Sequence, residues 1–145
     1  MILDAFNTFD DANATIRGAN TYAAHNVIDL SVARDIGSGE NLFIHINVPV
    51  AFAGGTSVKA QLIVSDAENM GTPVVIAETP TIAEASLTLG AEFVFRIPPQ
   101  LKSLGKRYLS MQYVGVGTHP LGSISARIVK DISDVKYYPR GYEQL

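Results

Sequence analysis

The sequence contains three histidines, the residue type most often used for proton transfer and metal binding at neutral pH. We expect His25 in a turn, His45 on the outward face of a strand and His119 in a Gly-Thr-His-Pro loop. They are far apart, and none forms the His-x-His or His-x-x-x-His spacing of a metal site. The expected state is an imidazole that is solvated or makes one hydrogen bond, with no metal or other cofactor.

Acidic residues offer two further candidates for chemistry. Asp10 and Asp11 are adjacent, so in an extended chain they point to opposite faces and do not share a proton. Residues 66–71 place a glycine at the sixth position of a calcium loop, but the fifth position has no oxygen ligand and the twelfth is not glutamate. We predict a polar turn there. With no Gly-x-Ser-x-Gly elbow either, the sequence predicts no catalytic site and a protein that is not an enzyme.

The glycine-rich segment at residues 35–40, Asp-Ile-Gly-Ser-Gly-Glu, invites comparison with a phosphate-binding loop. Such a loop needs a helix N-terminus behind it, because free amide groups hold the anion there. Here a strand pattern follows, and no Lys-Ser or Lys-Thr pair closes the loop. The segment therefore predicts a turn between strands.

Composition excludes several classes of protein. The 145 residues carry a net charge of −3 with no block of lysine or arginine, so the electrostatic footprint of a nucleic-acid-binding protein is missing. No cysteine is present, which excludes disulfides and thiolate metal sites. Because no apolar run approaches the roughly 18 residues of a membrane span and the start lacks a secretion signal, we expect a soluble protein that is not exported and does not bind membranes.

Alternation of apolar and polar residues predicts strands along the chain. The clearest is residues 42–48, where Leu42 and three further aliphatic residues alternate with Phe43, His45 and Asn47. Further strands are predicted at residues 12–16, 27–30, 58–64, 74–77, 93–97, 109–113 and 124–128. Turns are predicted at residues 53–56, closing a hairpin, and at 115–122, and single helical turns within 82–86 and 99–104.

About eight short strands with turns between them and no long helix define an all-β protein. We predict a jelly-roll-like two-sheet antiparallel sandwich, in one domain that covers residues 1–145. Its two ends do not fit the alternating pattern. Ile2, Leu3 and Phe6 form an apolar N-terminal tip, and the C-terminal tail carries Tyr137, Tyr138, Arg140 and Tyr142.

Tyrosine and arginine are enriched where protein surfaces bury one another, so the tail is a candidate interface. An extended end that covers its own sandwich is an equally good interpretation, since aromatic residues also fill the rim of a domain. We hypothesise that Ile2, Leu3, Phe6, Tyr137, Tyr138, Arg140 and Tyr142 form a contact between copies of the chain.

A series of short segments resembles the capsid cement, or decoration, proteins of tailed bacteriophages. The resemblance runs from the first residue to the last in the same order, and its specificity lies in the series and not in any one motif. The segments are Met-Ile-Leu-Asp-Ala at residues 1–5, Phe-Asp-Asp-Ala at 9–12, Asn-Val-Ile-Asp-Leu at 26–30, Ala-Arg-Asp-Ile-Gly-Ser-Gly-Glu at 33–40, Arg-Tyr-Leu at 107–109 and Tyr-Pro-Arg-Gly-Tyr at 138–142.

This resemblance implies a jelly-roll subunit without catalytic residues or cofactors. It also implies a homotrimer that binds the major capsid protein on the outside of the phage head, at threefold and quasi-threefold positions, and stabilises the shell. The expected location is the outer surface of the virion, after synthesis in the host cytoplasm. The resemblance identifies no individual residue that contacts the capsid.

Two other functions remain open from the residues alone. Jelly rolls also serve as carbohydrate-binding modules, for which Tyr108 and the tail tyrosines are the available aromatic platform. A cupin-type enzyme would need two histidines and a carboxylate that converge on a metal, and the spacing of the three histidines gives no such cluster.

Overall fold

The computed structural model describes residues 7–34, 42–97 and 106–129, and the structural statements below concern these residues. They form eight strands and a 3-10 turn at Glu84–Ser86. The strands are β1 (Thr8–Asn13), β2 (Thr21–Ala23), β3 (Ile28–Arg34), β4 (Phe43–Ser65), β5 (Val74–Glu78), β6 (Ile82–Ala83), β7 (Glu92–Arg96) and β8 (Lys106–Val129).

Two long strands, β4 and β8, form the centre of the molecule. They pair antiparallel over their whole length, from Phe43 opposite Val129 to Ser65 opposite Tyr108. Strands β1, β2 and β3 bond to the other side of β8, and β5, β6 and β7 bond to the other side of β4. Hydrogen bonding therefore runs through one antiparallel sheet of eight strands.

Both long strands bend near their middle, so that the two halves of the sheet form two layers. The first layer consists of β1, the second half of β8, the first half of β4, and the whole of β7. The second layer consists of the other halves of β4 and β8, together with β2, β3, β5 and β6. The inward apolar residues of both layers belong to one core cluster. The layers also meet through a hydrogen bond of 2.6 Å from the Tyr113 hydroxyl to the Asp10 carboxylate.

The bend depends on close packing between β4 and β8. The register shifts four times between Asn47 and Ser57, as expected where a strand bends by β-bulges. A Cβ on Gly55 would overlap the buried His119 ring, and one on Gly122, which has φ +132°, would lie 2.5 Å from the Phe52 ring. Glycine is therefore required at both positions.

This arrangement corrects the prediction of two turns. Residues 53–56 do not reverse the chain, so the hairpin of 42–48 with 58–64 is wrong, and residues 115–122 likewise lie inside β8. Glycines permit a sharp bend as readily as a reversal, and the sequence pattern is the same for both. Each pair of short predicted strands is thus one long strand.

Other boundaries also differ from the predictions. Strand β1 starts at Thr8, earlier than the predicted 12–16, and contains Ala12 at φ 56° beside a register shift. A short strand, β2, lies in the predicted break before residue 27. Strands β5 and β7 and the turn at Glu84–Ser86 confirm their predictions. The predicted turns at residues 35–40 and 99–104 lie outside the described residues.

The predicted all-β antiparallel class of about eight strands is confirmed, although the strands hydrogen-bond within one sheet that folds into two layers. The count of eight strands is the same, although its members differ from those predicted. That residues 1–145 form one domain stays a prediction.

Candidate functional site

The core contains one buried polar cluster, centred on Asp10. Its carboxylate accepts hydrogen bonds from the Tyr113 hydroxyl at 2.6 Å, the Asn13 side-chain amide at 3.1 Å and the His25 backbone N–H at 2.9 Å. The His25 ring lies at the edge of this cluster, with Nδ1 3.1 Å from the carboxylate. The adjacent Asp11 is exposed, which confirms that the two aspartates face opposite ways.

Burial controls the protonation of this cluster. It raises the pKa of Asp10, although the hydrogen bonds from Tyr113 and His25 act in the opposite direction. It also raises the pKa of Tyr113, and the negative charge of Asp10 adds to that effect. A tyrosine that is held protonated and donates to a carboxylate in the core joins β1 to β8, so we interpret this cluster as structural.

A second polar cluster lies on the outward face of the same layer, where His45 of β4 stands opposite Arg127 of β8. His45 is 2% exposed and Arg127 is 9% exposed. Arg127 donates one hydrogen bond of 3.0 Å to the Asn47 side-chain oxygen, and the His45 Nε2 lies 3.6 Å from the Glu92 carboxylate. Within the described residues, both His45 ring nitrogens and the Arg127 Nε have no hydrogen-bond partner.

Burial lowers the pKa of His45, and the positive charge of Arg127 lowers it further, while Glu92 opposes both effects. Burial also lowers the pKa of Arg127. When two basic side chains lie side by side in a buried place, charging both costs free energy because the positive charges repel each other. We therefore expect His45 to be neutral at neutral pH.

The third histidine, His119, lies at the bend and not in the predicted loop. It is fully buried, its ring meets the Phe52 ring edge-on at 5.4 Å, and its Nε2 lies 3.3 Å from the Ser57 carbonyl oxygen. The ring packs directly against Gly55, and its Nδ1 has no hydrogen-bond partner within the described residues. The three histidines are thus in separate places. His119 fits the expected imidazole with one hydrogen bond, whereas His45 is buried and has none within the described residues.

The acidic loop at residues 66–71 is the polar turn predicted. The Asn69 side-chain oxygen accepts the Gly71 backbone N–H at 3.0 Å, and the Asp66 carboxylate pairs with the Lys106 ammonium at 2.8 Å. In the three described ranges, no group of three or more His, Cys, Asp or Glu side chains is placed to hold a metal ion. None of the helical segments described there has the length and apolar character to span a bilayer.

The bend carries a set of exposed apolar side chains, which we call the bend surface: Val50, Leu89, Val116 and Leu121. Of the described large hydrophobic residues these are the four most exposed, at 49%, 72%, 46% and 58%. Val50, Val116 and Leu121 lie on the bent parts of β4 and β8, and Leu89 lies in a connection whose backbone bonds to Val48 and Phe52. Contiguous exposed apolar surface is typical of an interaction site, so we treat these four residues as a candidate surface.

A groove of about 580 Å³ opens on the β4 side of the molecule. We call it the edge groove, and it lies between β7 and the chain from the end of β5 to the 3-10 turn. Half-buried Phe93 and Phe95 contribute aromatic surface. Glu78, Thr79, Thr81, Ser86 and Glu92 contribute polar groups. This combination of aromatic and polar lining is common in binding sites.

The structure does not test the predicted interface. Ile2, Leu3, Phe6, Tyr137, Tyr138, Arg140 and Tyr142 all lie outside the described residues. Tyr108, the other candidate platform, is half-buried with the Arg107 guanidinium 5.1 Å from its ring centre. The exposed Arg107 side chain also pairs with Asp29 through two bonds of 2.8 and 2.9 Å.

Sequence reasoning missed both the bend surface and the edge groove. Leu121 and Val116 fall in the predicted turn at residues 115–122, and Phe93 and Phe95 fit one face of the predicted strand at residues 93–97. The available signal was that Leu89, Val116 and Leu121 adjoin glycines in the sequence, but alternation alone does not separate an inward face from an open edge.

The fold and these surfaces define an all-β sandwich whose described polar clusters are buried, and whose exposed apolar and aromatic residues lie at a bend and an open edge. The chain belongs to the Bbp16 family, whose model matches residues 9–128. No curated protein matches the chain.

Two solved structures are similar in outline. One is the X-ray crystal structure of a non-crystalline cellulose specific carbohydrate-binding module, CBM28, at 11% identity and a TM-score of 0.49, covering 88% of this chain and 92% of that one. The other is the structure of infectious bursal disease virus Gx strain, at 14% identity and a TM-score of 0.36, covering 83% of this chain and 30% of that one. Both TM-scores are too low to carry a conclusion about function.

Proposed function

We propose that this protein is a non-enzymatic capsid decoration, or cement, protein. It binds the outside of a phage head as a homotrimer at threefold and quasi-threefold positions, contacts the major capsid protein and stabilises the shell. Two findings support the proposal. The chain belongs to the Bbp16 family, whose name is of the type given to phage proteins. The bend surface offers a capsid contact, and this is the structural observation on which the proposal rests.

The bend surface suits such a contact because its support is rigid. Beneath it, His119 packs against Phe52 and Gly55, and the Arg17 guanidinium donates a hydrogen bond of 3.0 Å to the Gly122 carbonyl oxygen. A rigid support lowers the entropy that an interface loses on binding. The backbone that carries the exposed side chains is therefore held by close packing.

Three weak contacts are enough for firm binding. A single contact with a dissociation constant of about 1 mM corresponds to roughly 4 kcal/mol. Three contacts held by one trimer gain on the order of 10² to 10⁴ in avidity without any new type of interaction. Because binding requires the assembled lattice, it shifts the equilibrium away from disassembly by mass action.

The test is to incubate the purified protein with undecorated heads, image them by electron microscopy and measure their resistance to heat. We expect added density on the shell exterior and a higher temperature of shell disruption. A Leu89→Ser, Leu121→Ser variant changes only exposed side chains and should lose the added density. The matched control, Val75→Ser, replaces a 42% exposed valine on β5 and should keep it. Heads that stay bare with the parent protein would contradict the proposal.

The second candidate is a carbohydrate-binding sandwich module, and the edge groove is the observation that favours it. Phe93 and Phe95 supply the aromatic surface, and Thr79, Thr81 and Glu78 supply polar neighbours. A glycan-binding screen separates the two functions. A glycan that binds the parent protein and not a Phe95→Ser variant would favour this candidate, and a screen without hits would remove it.

A further inference from the structure

The edge groove lies where the sandwich has open strand edges. Strands β5, β6 and β7 all bond to the same side of β4, and among the described residues no strand bonds to their other edges. An unpaired edge presents backbone N–H and C=O groups that can pair with another chain. The groove therefore combines free backbone groups with the half-buried Phe93 and Phe95 rings.

The lining of the groove indicates an aromatic and basic occupant. Glu78 and Glu92 are among its lining residues, with side chains 45% and 49% exposed. No arginine or lysine is among the lining residues that the structure describes, although the Lys59 ammonium lies 3.4 Å from the Glu78 carboxylate. The hydrogen bond from the Gln61 amide and the charge of Lys59 lower the pKa of Glu78, so its carboxylate is charged at neutral pH. Aromatic rings and two carboxylates complement tyrosine and arginine side chains.

The sequence itself contains a segment of that chemistry. Residues 136–142, Lys-Tyr-Tyr-Pro-Arg-Gly-Tyr, bring two cations and three tyrosines together, and we call them the tail segment. Strand β8 ends at Val129, which pairs with Phe43, and Phe43 pairs in turn with Arg96 at the end of β7. The 13 residues from 130 to 142 span up to about 43 Å when extended, so the tail segment has the reach to enter a groove beyond its own subunit.

We propose that the edge groove of one copy binds the tail segment of a neighbouring copy. A threefold assembly needs two different surfaces on each subunit, because contacts around a threefold axis are heterologous and close into a ring. The groove and the tail segment supply such a pair. This inference deepens the proposed trimer and rests on it, and it is independent of the bend surface that the proposed function assigns to the capsid.

Disulfide cross-linking tests the contact directly, because the chain has no cysteine of its own. One variant carries Thr81→Cys, at an exposed residue that lines the groove. The other carries Glu143→Cys, beside the tail segment, in isotopically labelled full-length protein. In the control experiment, the Thr81→Cys variant is exchanged for a Thr21→Cys variant, whose cysteine lies at an exposed position on β2 across the sheet. The mixtures are oxidised and analysed by mass spectrometry, and light scattering gives the mass of the unoxidised parent.

The expected result is a disulfide between the Thr81→Cys and Glu143→Cys copies and none with Thr21→Cys. Adding Arg140→Glu to the tail variant should lower the cross-linking rate roughly tenfold. Adding Arg96→Glu, on the outward face of β7, should not.

Four results would overturn the inference. A trimer that forms no groove disulfide would remove the groove from the interface and leave the proposed function intact. A monomer would remove the proposed trimer as well. A disulfide formed only within one chain, in the double Thr81→Cys, Glu143→Cys variant, would show that the groove binds its own tail. Glycan binding in the groove that the tail segment does not inhibit would also contradict it.

Discussion

Two buried polar clusters lie on opposite faces of the same sheet layer, and they differ in how well their groups are satisfied. Asp10, on the inward face, accepts three hydrogen bonds and lies beside the His25 ring. Arg127, on the outward face, donates one hydrogen bond to a side chain, and its Nε has no partner among the described residues.

This difference separates two uses of a buried polar group. A carboxylate with three donors aimed at it fixes the distance between the layers, because moving either layer breaks several bonds at once. A guanidinium with one partner contributes little net stability, because its desolvation is not compensated. Burial alone is therefore not evidence that a polar residue holds the fold together.

The largest effect is expected from Asp10→Ala. Removing the carboxylate leaves the Tyr113 hydroxyl and the Asn13 amide without their acceptor in the core, so we expect a loss of about 3 kcal/mol in the free energy of unfolding. The matched control is Asp11→Ala, which removes the adjacent exposed aspartate and should change stability by no more than about 0.5 kcal/mol. Urea denaturation followed by circular dichroism measures both. Equal midpoints for the two variants would contradict a structural role for Asp10.

The next effect is a pH dependence with opposite signs in the two clusters. The pKa of His45 is lower in the folded protein than its ordinary value of 6.5, so the unfolded chain binds the proton more tightly. Its contribution to stability is present above pH 6.5 and is lost as the pH falls below 6.5 toward the lower folded pKa, at up to about 1.4 kcal/mol per pH unit. His45→Gln should flatten that part of a plot of unfolding free energy against pH.

Asp10 should show the reverse sign at more acidic pH. Its pKa is raised above 3.8 in the folded protein, so its protonation favours the folded state. That contribution is complete below pH 3.8 and is lost as the pH rises through the folded pKa. Asp10→Asn should remove this dependence and leave the slope due to His45 unchanged. A slope near pH 6.5 that survives His45→Gln would show that another group causes it.

A smaller effect is expected from Arg127→Met. Methionine keeps most of the length of the side chain and removes the poorly compensated charge, so stability should stay within about 1 kcal/mol of the parent, on the stabilising side. Asn47 is half-buried and can bond to water when its donor is lost. The same denaturation experiment measures this variant beside Asp10→Ala. A loss as large as that of Asp10→Ala would mean that the guanidinium is fully compensated after all.

The sequence was a good guide to local structure where a strand is short and half-buried. Alternation located β7, a short apolar run located β5, and the all-β class followed from the number of such runs. The adjacent pair Asp10 and Asp11 was also correctly assigned to opposite faces. These features depend on neighbouring residues only, which is the information that periodicity contains.

The bend and the two surfaces could not be predicted in the same way. Whether Gly55 reverses the chain or bends it depends on His119, which is 64 residues away in sequence and packs against it. Likewise, the burial of His45 depends on the strands that flank it on both sides, Arg127 on one and Val94 on the other. Long-range packing decided both outcomes, and local patterns do not record it.

The smallest effect is expected at an ion pair that is well satisfied but exposed, Arg107 with Asp29. The hydrogen bonds that Arg107 donates lower the pKa of Asp29 to about 2. Arg107→Gln should raise that pKa toward 3.8, which a carboxyl NMR titration measures, whereas Lys106→Gln should leave it unchanged because Lys106 pairs with Asp66. The urea midpoint should hardly move, since solvent screens both groups. If Arg107→Gln lowered the free energy of unfolding strongly, satisfied hydrogen bonds would stabilise this fold even at an exposed site. The contrast between Asp10 and Arg127 would then be due to their hydrogen bonds and not to their burial.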